Sequence, residues 1–308
     1  MIQPFTIALS SDDAYLDGLV GTLCGVARST SDAPVHAVIL DCGILDANWA
    51  RMEQSLRLTF PRLTLRRLRI PAERLREFNP TGAVLRLNNS AYARLLLPEL
   101  LPDCDRILYL DCDLLVDADL RPLFYAPLDG MLVGAVPETH TPTLGKTVPV
   151  HLLTPEEALR PTFNSGVLLL DLAGLRDSDI VDQIRALPVD FYAFFVDQGA
   201  LNYVLRGRWK KLPARWNRQH FVTENFSLYR DHPGSVWHFI GKIKPWHFEP
   251  ASMRGLIADF HRNLVCTSWI PRLSGRIRPL SPAWRDFIKA TRACVLRLAR
   301  GLRPASSA

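Results

Sequence analysis

Residues 4–15 read PFTIALSSDDAY: a short β-type apolar run across 4–9 breaks into Ser10, Ser11, Asp12 and Asp13, and a helical pattern then runs across 15–28. The unit repeats. VHAVILD at 35–41 reads as a second strand, 47–58 as a helix and LTLRRLRI at 63–70 as a third strand, giving β-α-β-α-β. Crossovers through a helix bring successive strands in parallel, so an α/β fold is expected, with a mainly parallel central sheet and helices on both faces. Ligands in such sheets sit beyond the carboxyl ends of the strands, where the SSDD cluster would lie.

Further along, SAYARLLLPELL at 90–101 reads as a helix and LYLDCDLLV at 108–116 as a strand interrupted by two carboxylates. The period of two along a strand puts Asp111 and Asp113 on one face and Cys112 on the other. Partly buried anions that close together need a proton, a cationic partner or a metal; the plainer alternative is a strand ending in an Asp-rich turn. Another strand is expected near 131–136, then a long irregular stretch at 137–161 of the kind that covers a site. FNSGVLLLDL at 163–172 reads as a buried strand, 175–187 as a helix, and VDQGALNYVL at 196–205 as a helix with Asp197 and Gln198 at its entry; short strands and turns fill 212–240. VWHFIGKIKPWHF at 236–248 combines an imidazole at His238, a glycine at Gly241 and ammonium groups at Lys242 and Lys244. Those types suit a phosphorylated ligand beside a metal, although a histidine among aromatic rings also reads as a packed core residue.

The chain of 308 residues is 48% apolar and 22% charged, an ordinary globular balance with material for a sizeable core. Six cysteines without CxxC spacing read as reduced thiols of a cytosolic protein. No basic leader precedes Asp12 and Asp13, and no apolar run reaches the roughly 18 residues of a membrane span. The net charge of +6 is unevenly placed: beyond residue 270, Arg272, Arg276, Arg278, Arg285, Lys289, Arg292, Arg297, Arg300 and Arg303 face the single acid Asp286. Helical geometry gathers Trp284, Phe287, Ile288, Val295, Leu298 and Leu302 on one side with the bases largely opposite, although Leu296 breaks the pattern. A division follows, with a catalytic domain over 1–250 and a basic helical tail over 251–308 that attaches to an anionic membrane surface. Nucleic acid is not an expected partner, because the positive charge is confined to the tail instead of lining a face with interleaved aromatics.

Taken in order, SSDDAY, SAYARL, LYLDCDLLV, FNSGVLLLDL, VDQGALN and HFIGKIKPWH resemble the family 8 glycosyltransferases, over roughly residues 4–250, and most of all the bacterial lipopolysaccharide galactosyl- and glucosyltransferases. The resemblance implies a GT-A, Rossmann-like nucleotide-sugar fold. It also implies a Mn²⁺ cofactor, with Mg²⁺ as the substitute, and a UDP-galactose or UDP-glucose donor whose α configuration is retained. Carried onto this chain, it makes Asp111, Asp113 and His238 the metal ligands, and Ser10, Ser11, Asp12, Asp111, Gly241 and Lys244 the nucleotide contacts. Arg94, Glu138, Asn164, Asp197 and Gln198 would surround the donor sugar, with Gln198 and Asp197 as catalytic candidates. Arg94 alternatively serves as an ion-pair partner on its own helix. An amide is a poor nucleophile, so a front-side displacement is expected, in which Gln198 stabilises the oxocarbenium-like transition state. The chain departs from the family pattern at Ala14 where Asn is common, at Gly199 where an acid is usual, and at Glu138 where a shorter Asp is usual. The acceptor implied is a lipid-linked saccharide met at the inner face of the cytoplasmic membrane. A nucleotide-sugar sensor with weak catalysis is the alternative.

Overall fold

Alternation along each early strand sends one set of side chains to each side of a sheet, and both sets are apolar. Ile7 and Leu9 of the first strand, with Leu108 and Leu110 of the fourth, join one core; Ala8, Ile107 and Tyr109 join the other. Strands buried on both faces require cover on both, which is the layering of an α/β protein. The computed structural model describes residues 5–30, 32–78, 89–188, 191–222, 232–247, 255–265 and 267–269.

Among the described residues ten strands follow in chain order: β1 (Phe5–Ser11), β2 (Val35–Asp41), β3 (Leu63–Arg69), β4 (Arg106–Leu110), β5 (Leu114–Val116), β6 (Val133–Pro137), β7 (Phe163–Asp171), β8 (Lys210–Lys211), β9 (Arg218–Phe221) and β10 (Val236–Ile240). Seven form the central sheet in the order β3-β2-β1-β4-β7-β6-β8, and β5-β10-β9 form a smaller second sheet. Pairings within the large sheet are parallel except around β7, which runs antiparallel to both β4 and β6. The mainly parallel α/β architecture expected from the sequence is therefore present.

Helix Leu16–Ser29 is buried along nearly its whole length, because it lies between the large sheet, the second sheet and the helix Leu256–Val265. Close approach depends on glycines. A Cβ at Gly18 would lie 2.5 Å from Cys112 O, one at Gly21 would run into the Phe260 ring, and one at Gly25 would lie 2.9 Å from Val116 O. Thr22 Oγ1 reinforces the contact, donating to Leu114 O at 3.1 Å.

Several local expectations change. The triplet Asp111-Cys112-Asp113 is not strand interior; it is the bend between β4 of the large sheet and β5 of the small one. The stretch 90–101 is a 3₁₀ helix, Asn89–Leu96, followed by one turn of α-helix, Leu97–Leu100, with Pro98 in that turn. The helix expected over 175–187 is two, Leu172–Arg176 and Ile180–Arg185, separated at Asp177-Ser178-Asp179, residue types whose side chains compete for backbone hydrogen bonds. Asp197 and Gln198 sit inside the helix Tyr192–Leu205, not at its entry, because the preceding residues are helical as well.

Past residue 250, the helix Leu256–Val265 packs on the helix Leu16–Ser29 and contributes Phe260 and Leu264 to the core. Trp269 is buried too, donating its Nε1–H to Asp17 Oδ1 at 2.8 Å beneath the Arg51 guanidinium. The region assigned to a tail thus opens with core-forming structure. The basic amphipathic pattern from residue 270 onward lies outside the described residues. Cys24, Cys42, Cys104 and Cys112 are free thiols. Among the described residues no helix is long and apolar enough to cross a membrane.

Candidate active site

Two sheets meet at the Asp111–Asp113 bend, and the ladder of the second one brings a histidine to it. β10 pairs antiparallel with β5, opposing His238 to Leu114, and Phe239 N donates to Asp113 O at 3.0 Å. One ligand atom from each of Asp111, Asp113 and His238 falls within 4.8 Å of the others. His238 Nε2 lies 3.2 Å from Asp113 Oδ1 and 3.7 Å from Asp111 Oδ2. Cys112 points the other way, its Sγ donating to Ser10 O at 3.0 Å, and burial pushes its pKa well up so that it stays a thiol.

Gly166, on β7, makes the convergence possible. Its carbonyl accepts the Asp111 N–H at 2.8 Å, and a Cβ there would run into the His238 ring and lie 2.9 Å from Asp111 Oδ2. Pairing of β6 with β7 shifts register between Ala135 and Val136, releasing Ser165–Val167 from that ladder; Ser165 lines the cavity and Gly166 abuts His238.

Each metal-type carboxylate also has its own cation. Arg94 Nη2 reaches Asp111 Oδ1 at 2.8 Å while its Nε pairs with Asp197 Oδ2 at 3.0 Å and its guanidinium stacks over the Tyr109 ring at 4.3 Å. Arg94 is buried, and the attraction of Asp111 and Asp197 outweighs that burial, raising its pKa. It is an ion-pair hub, with its partners on other elements and not on its own helix. Lys244 Nζ donates to Asp113 Oδ2 at 2.5 Å and to Phe239 O at 2.7 Å. Burial works to raise the Asp113 pKa, but Lys244 and then His238 overcome it and hold the carboxyl below the usual range. Asp197 shows the opposite balance: burial raises its pKa and Arg94 offsets only part of that.

A cavity of about 730 Å³ opens on this cluster, lined by Ser10, Arg94, Asp111, Asp113, Glu138, Asn164, Asp197, Gln198, His238, Gly241 and Lys244, among others. Ser11 and Asp12 stand outside that lining. Ser11 Oγ donates to Asp12 O at 2.9 Å, and Asp12 Oδ1 accepts the Tyr15 N–H at 3.0 Å, closing the turn into the first helix. Ser10 Oγ bonds Tyr109 OH at 2.7 Å, and that hydroxyl donates to Asp111 Oδ1 at 3.2 Å. Toward the other end, Glu138 Oε2 accepts from Asn164 Nδ2 at 2.9 Å and Gln198 Nε2 at 3.2 Å, and Gln198 Oε1 accepts the Ser165 N–H at 3.0 Å. Gly241 has φ +83° and a Cβ there would lie 3.0 Å from the Phe221 ring, so the turn after β10 requires glycine on both counts.

Sequence reading missed Tyr15, Tyr109, Ser165, Gly166, Asn217 and the Phe221–His140 ring pair. Gly166 and Ser165 were within reach, since FNSG had been singled out; no spacing signal pointed to Asn217.

A divalent cation suits this set. Two carboxylates and an imidazole converge, four carboxylates line the cavity against two buried cations and the exposed Lys242, and buried Asp113 Oδ1 has no hydrogen-bond partner among the described residues.

The sequence model described as glycosyl transferase family 8 matches residues 6–249. Glycosyltransferase GlyF of Streptococcus pneumoniae serotype 4 is 26% identical over 249 residues, covering 79% of this chain but only 57% of GlyF. Lipopolysaccharide 1,2-glucosyltransferase of Escherichia coli K12 is 25% identical over 252 residues, 78% of this chain and 72% of that protein. The solved structure of galactosyltransferase LgtC with donor and acceptor sugar analogues superposes with a TM-score of 0.68 at 24% identity, covering 92% of this chain and 99% of LgtC; the likeness is one of fold.

Proposed function

We propose, from the premise that this chain belongs to glycosyl transferase family 8, that it transfers galactose or glucose from the UDP-sugar to a lipid-linked saccharide, with Mn²⁺ as cofactor and retention at the anomeric carbon. The observation that carries this reading is the convergence of Asp111, Asp113 and His238 on a cavity that is also lined by Lys244 and Gly241. Carboxylate oxygens with one imidazole favour Mn²⁺, or Mg²⁺ in its place, over a thiolate-seeking metal. Such a cation, when bound, supplies positive charge to a departing diphosphate.

The protein groups do the rest. Gly241 offers a backbone amide without a side chain in the way, and Lys242 and Lys244 add point charges for phosphate oxygens. Glu138, Asn164 and Gln198 offer polar groups for hexose hydroxyls from a tied network, which fixes their positions before the donor arrives. Asp197 is engaged by Arg94 and by Ser165 Oγ at 3.2 Å, so it holds the guanidinium and is a poor attacking group. A front-side displacement follows: the anomeric C–O bond to phosphate breaks, the acceptor oxygen bonds the same face, and the acceptor proton passes to the departing phosphate oxygen. The nine bases against one acid beyond residue 270 support a membrane-borne acceptor, and the names of the Escherichia coli relative and of LgtC support the glucose and galactose donors.

The test is release of UDP from UDP-galactose and UDP-glucose, with and without sugar acceptors, by wild type and Asp113→Asn. Release that needs Mn²⁺, prefers one donor, rises with acceptor and falls at least about 100-fold in the variant is the expected result. Tight UDP binding without release from either donor would instead favour a sensor.

A further inference from the structure

His238 is held from behind. On the side away from the two aspartates its Nδ1 lies 3.1 Å from Asn164 Oδ1 and 3.1 Å from Asn217 Oδ1. Neither amide is free to turn. Asn164 Nδ2 donates to the Glu138 carboxylate, which only accepts, while Asn164 Oδ1 receives the Gly166 N–H at 3.0 Å, which only donates. Both contacts turn the oxygen, not the nitrogen, of Asn164 toward the ring. Asn217 Nδ2 donates to that same oxygen at 2.8 Å, which leaves Asn217 Oδ1 for the imidazole. Facing two acceptors, Nδ1 must carry the hydrogen. In the neutral imidazole, the form that ligates a metal, Nε2 then keeps its lone pair and faces Asp113 Oδ1 and Asp111 Oδ2.

We propose that Asn217 is a positioning residue for the metal centre: together with Asn164 it locks His238 in the Nδ1–H tautomer and fixes its ring, so that Nε2 is ready to ligate a divalent cation. The proposal rests on the metal-dependent reading above. Asn217 is 1% exposed and does not line the cavity, so it acts through the imidazole and not on a substrate. Its place is set by the same ladder as the ligand. Asn217 immediately precedes β9, which runs parallel to β10 with Gln219 beside His238. Lone pairs of Nε2 and Asp113 Oδ1 facing each other repel unless a proton or a metal cation lies between them, and a bound metal takes the place of that proton.

Partners that orient a ligating histidine typically contribute about 10–100-fold to metal affinity. Titration of Mn²⁺ into the full-length chain, with free Mn²⁺ read by electron paramagnetic resonance, is therefore expected to show that loss in Asn217→Leu. In a His238→Ala background the same substitution should shift affinity by less than about threefold, because a residue acting only through the imidazole has nothing left to act on. A second measurement needs no substitution: ¹⁵N-histidine resonances of the metal-free wild-type chain at pH 8.5 should report the Nδ1–H tautomer at His238. Predominance of the Nε2–H form, unchanged Mn²⁺ affinity in Asn217→Leu, or equal losses in both backgrounds would each overturn the proposal. A wild-type chain that takes up no Mn²⁺ sinks the metal reading and this proposal together; wild-type uptake with an unaffected variant sinks this proposal alone.

Discussion

Arg94 holds Asp111 and Asp197 at once, and removing it would leave buried Asp197 and partly exposed Asp111 without that shared cation. Breaking a buried ion pair from one side costs about 3–5 kcal/mol, so Arg94→Leu is expected to lower unfolding free energy by that amount in urea melts. Asp197 carries a pH signature. Its folded pKa is raised above that of the unfolded chain, so its contribution is fully present below about pH 3.9 and is lost as pH rises through the folded value. With EDTA present, Asp197→Asn should therefore remove a fall in stability across that window, and a variant whose profile parallels wild type would contradict the assignment. Asp113 has the opposite sign, its contribution being lost only on acidification. Gly166→Ala should weaken Mn²⁺ binding at least about tenfold, read by the same resonance titration, because its methyl would displace the His238 ring proposed as a ligand. Asp111, Asp113, His238 and Lys244 were legible in the sequence because charged and imidazole groups interrupt apolar runs there. Gly166 lay within the quoted FNSG motif, but its role was not legible because it acts by the absence of a side chain; Asn217 carried no signal, since it acts by the orientation of an amide.

At the scale of elements, the strands were the more legible part. β2 begins and ends where it was read, because VHAVILD is bounded by polar and turn-forming residues on both sides. Helices were harder where neighbours override local pattern: Tyr192–Leu205 starts ahead of Asp197 and Gln198, the residues expected at its entry, and the 3₁₀ stretch Asn89–Leu96 has the same apolar spacing as an α-helix. The helix Leu16–Ser29 links stability to the site through Gly18, which abuts the backbone of Cys112 between the two aspartates. Gly18→Ala is expected to cost about 1–3 kcal/mol by overpacking. Because the groups in the way are the Cys112 carbonyl and the Trp246 ring, Mn²⁺ affinity should fall along with the melting temperature as the carbonyl gives, whereas a substitution at an exposed site such as Arg57 should change neither.

For the whole molecule, Trp269 is the last of the described residues and belongs to the core. Truncation after residue 269 is expected to leave a folded chain that releases UDP from soluble substrates but no longer binds anionic vesicles in a salt-dependent way. Truncation after residue 254 removes Phe260, Leu264 and Trp269 from the core and should abolish cooperative unfolding, which circular dichroism would record. The α/β layering was readable from the repeated strand-helix unit; the second sheet was not, since β5, β9 and β10 are short and pair across long sequence separations. That second sheet gives the bend at Asp111–Asp113 a mechanical meaning. An ion gripped there would be a rivet between two separately hydrogen-bonded layers, so occupancy and resistance to unfolding become one quantity. At a hundredfold excess over its dissociation constant the rivet would add about 2.7 kcal/mol, turning a melting curve into a gauge of which cations the joint accepts, before any sugar is supplied.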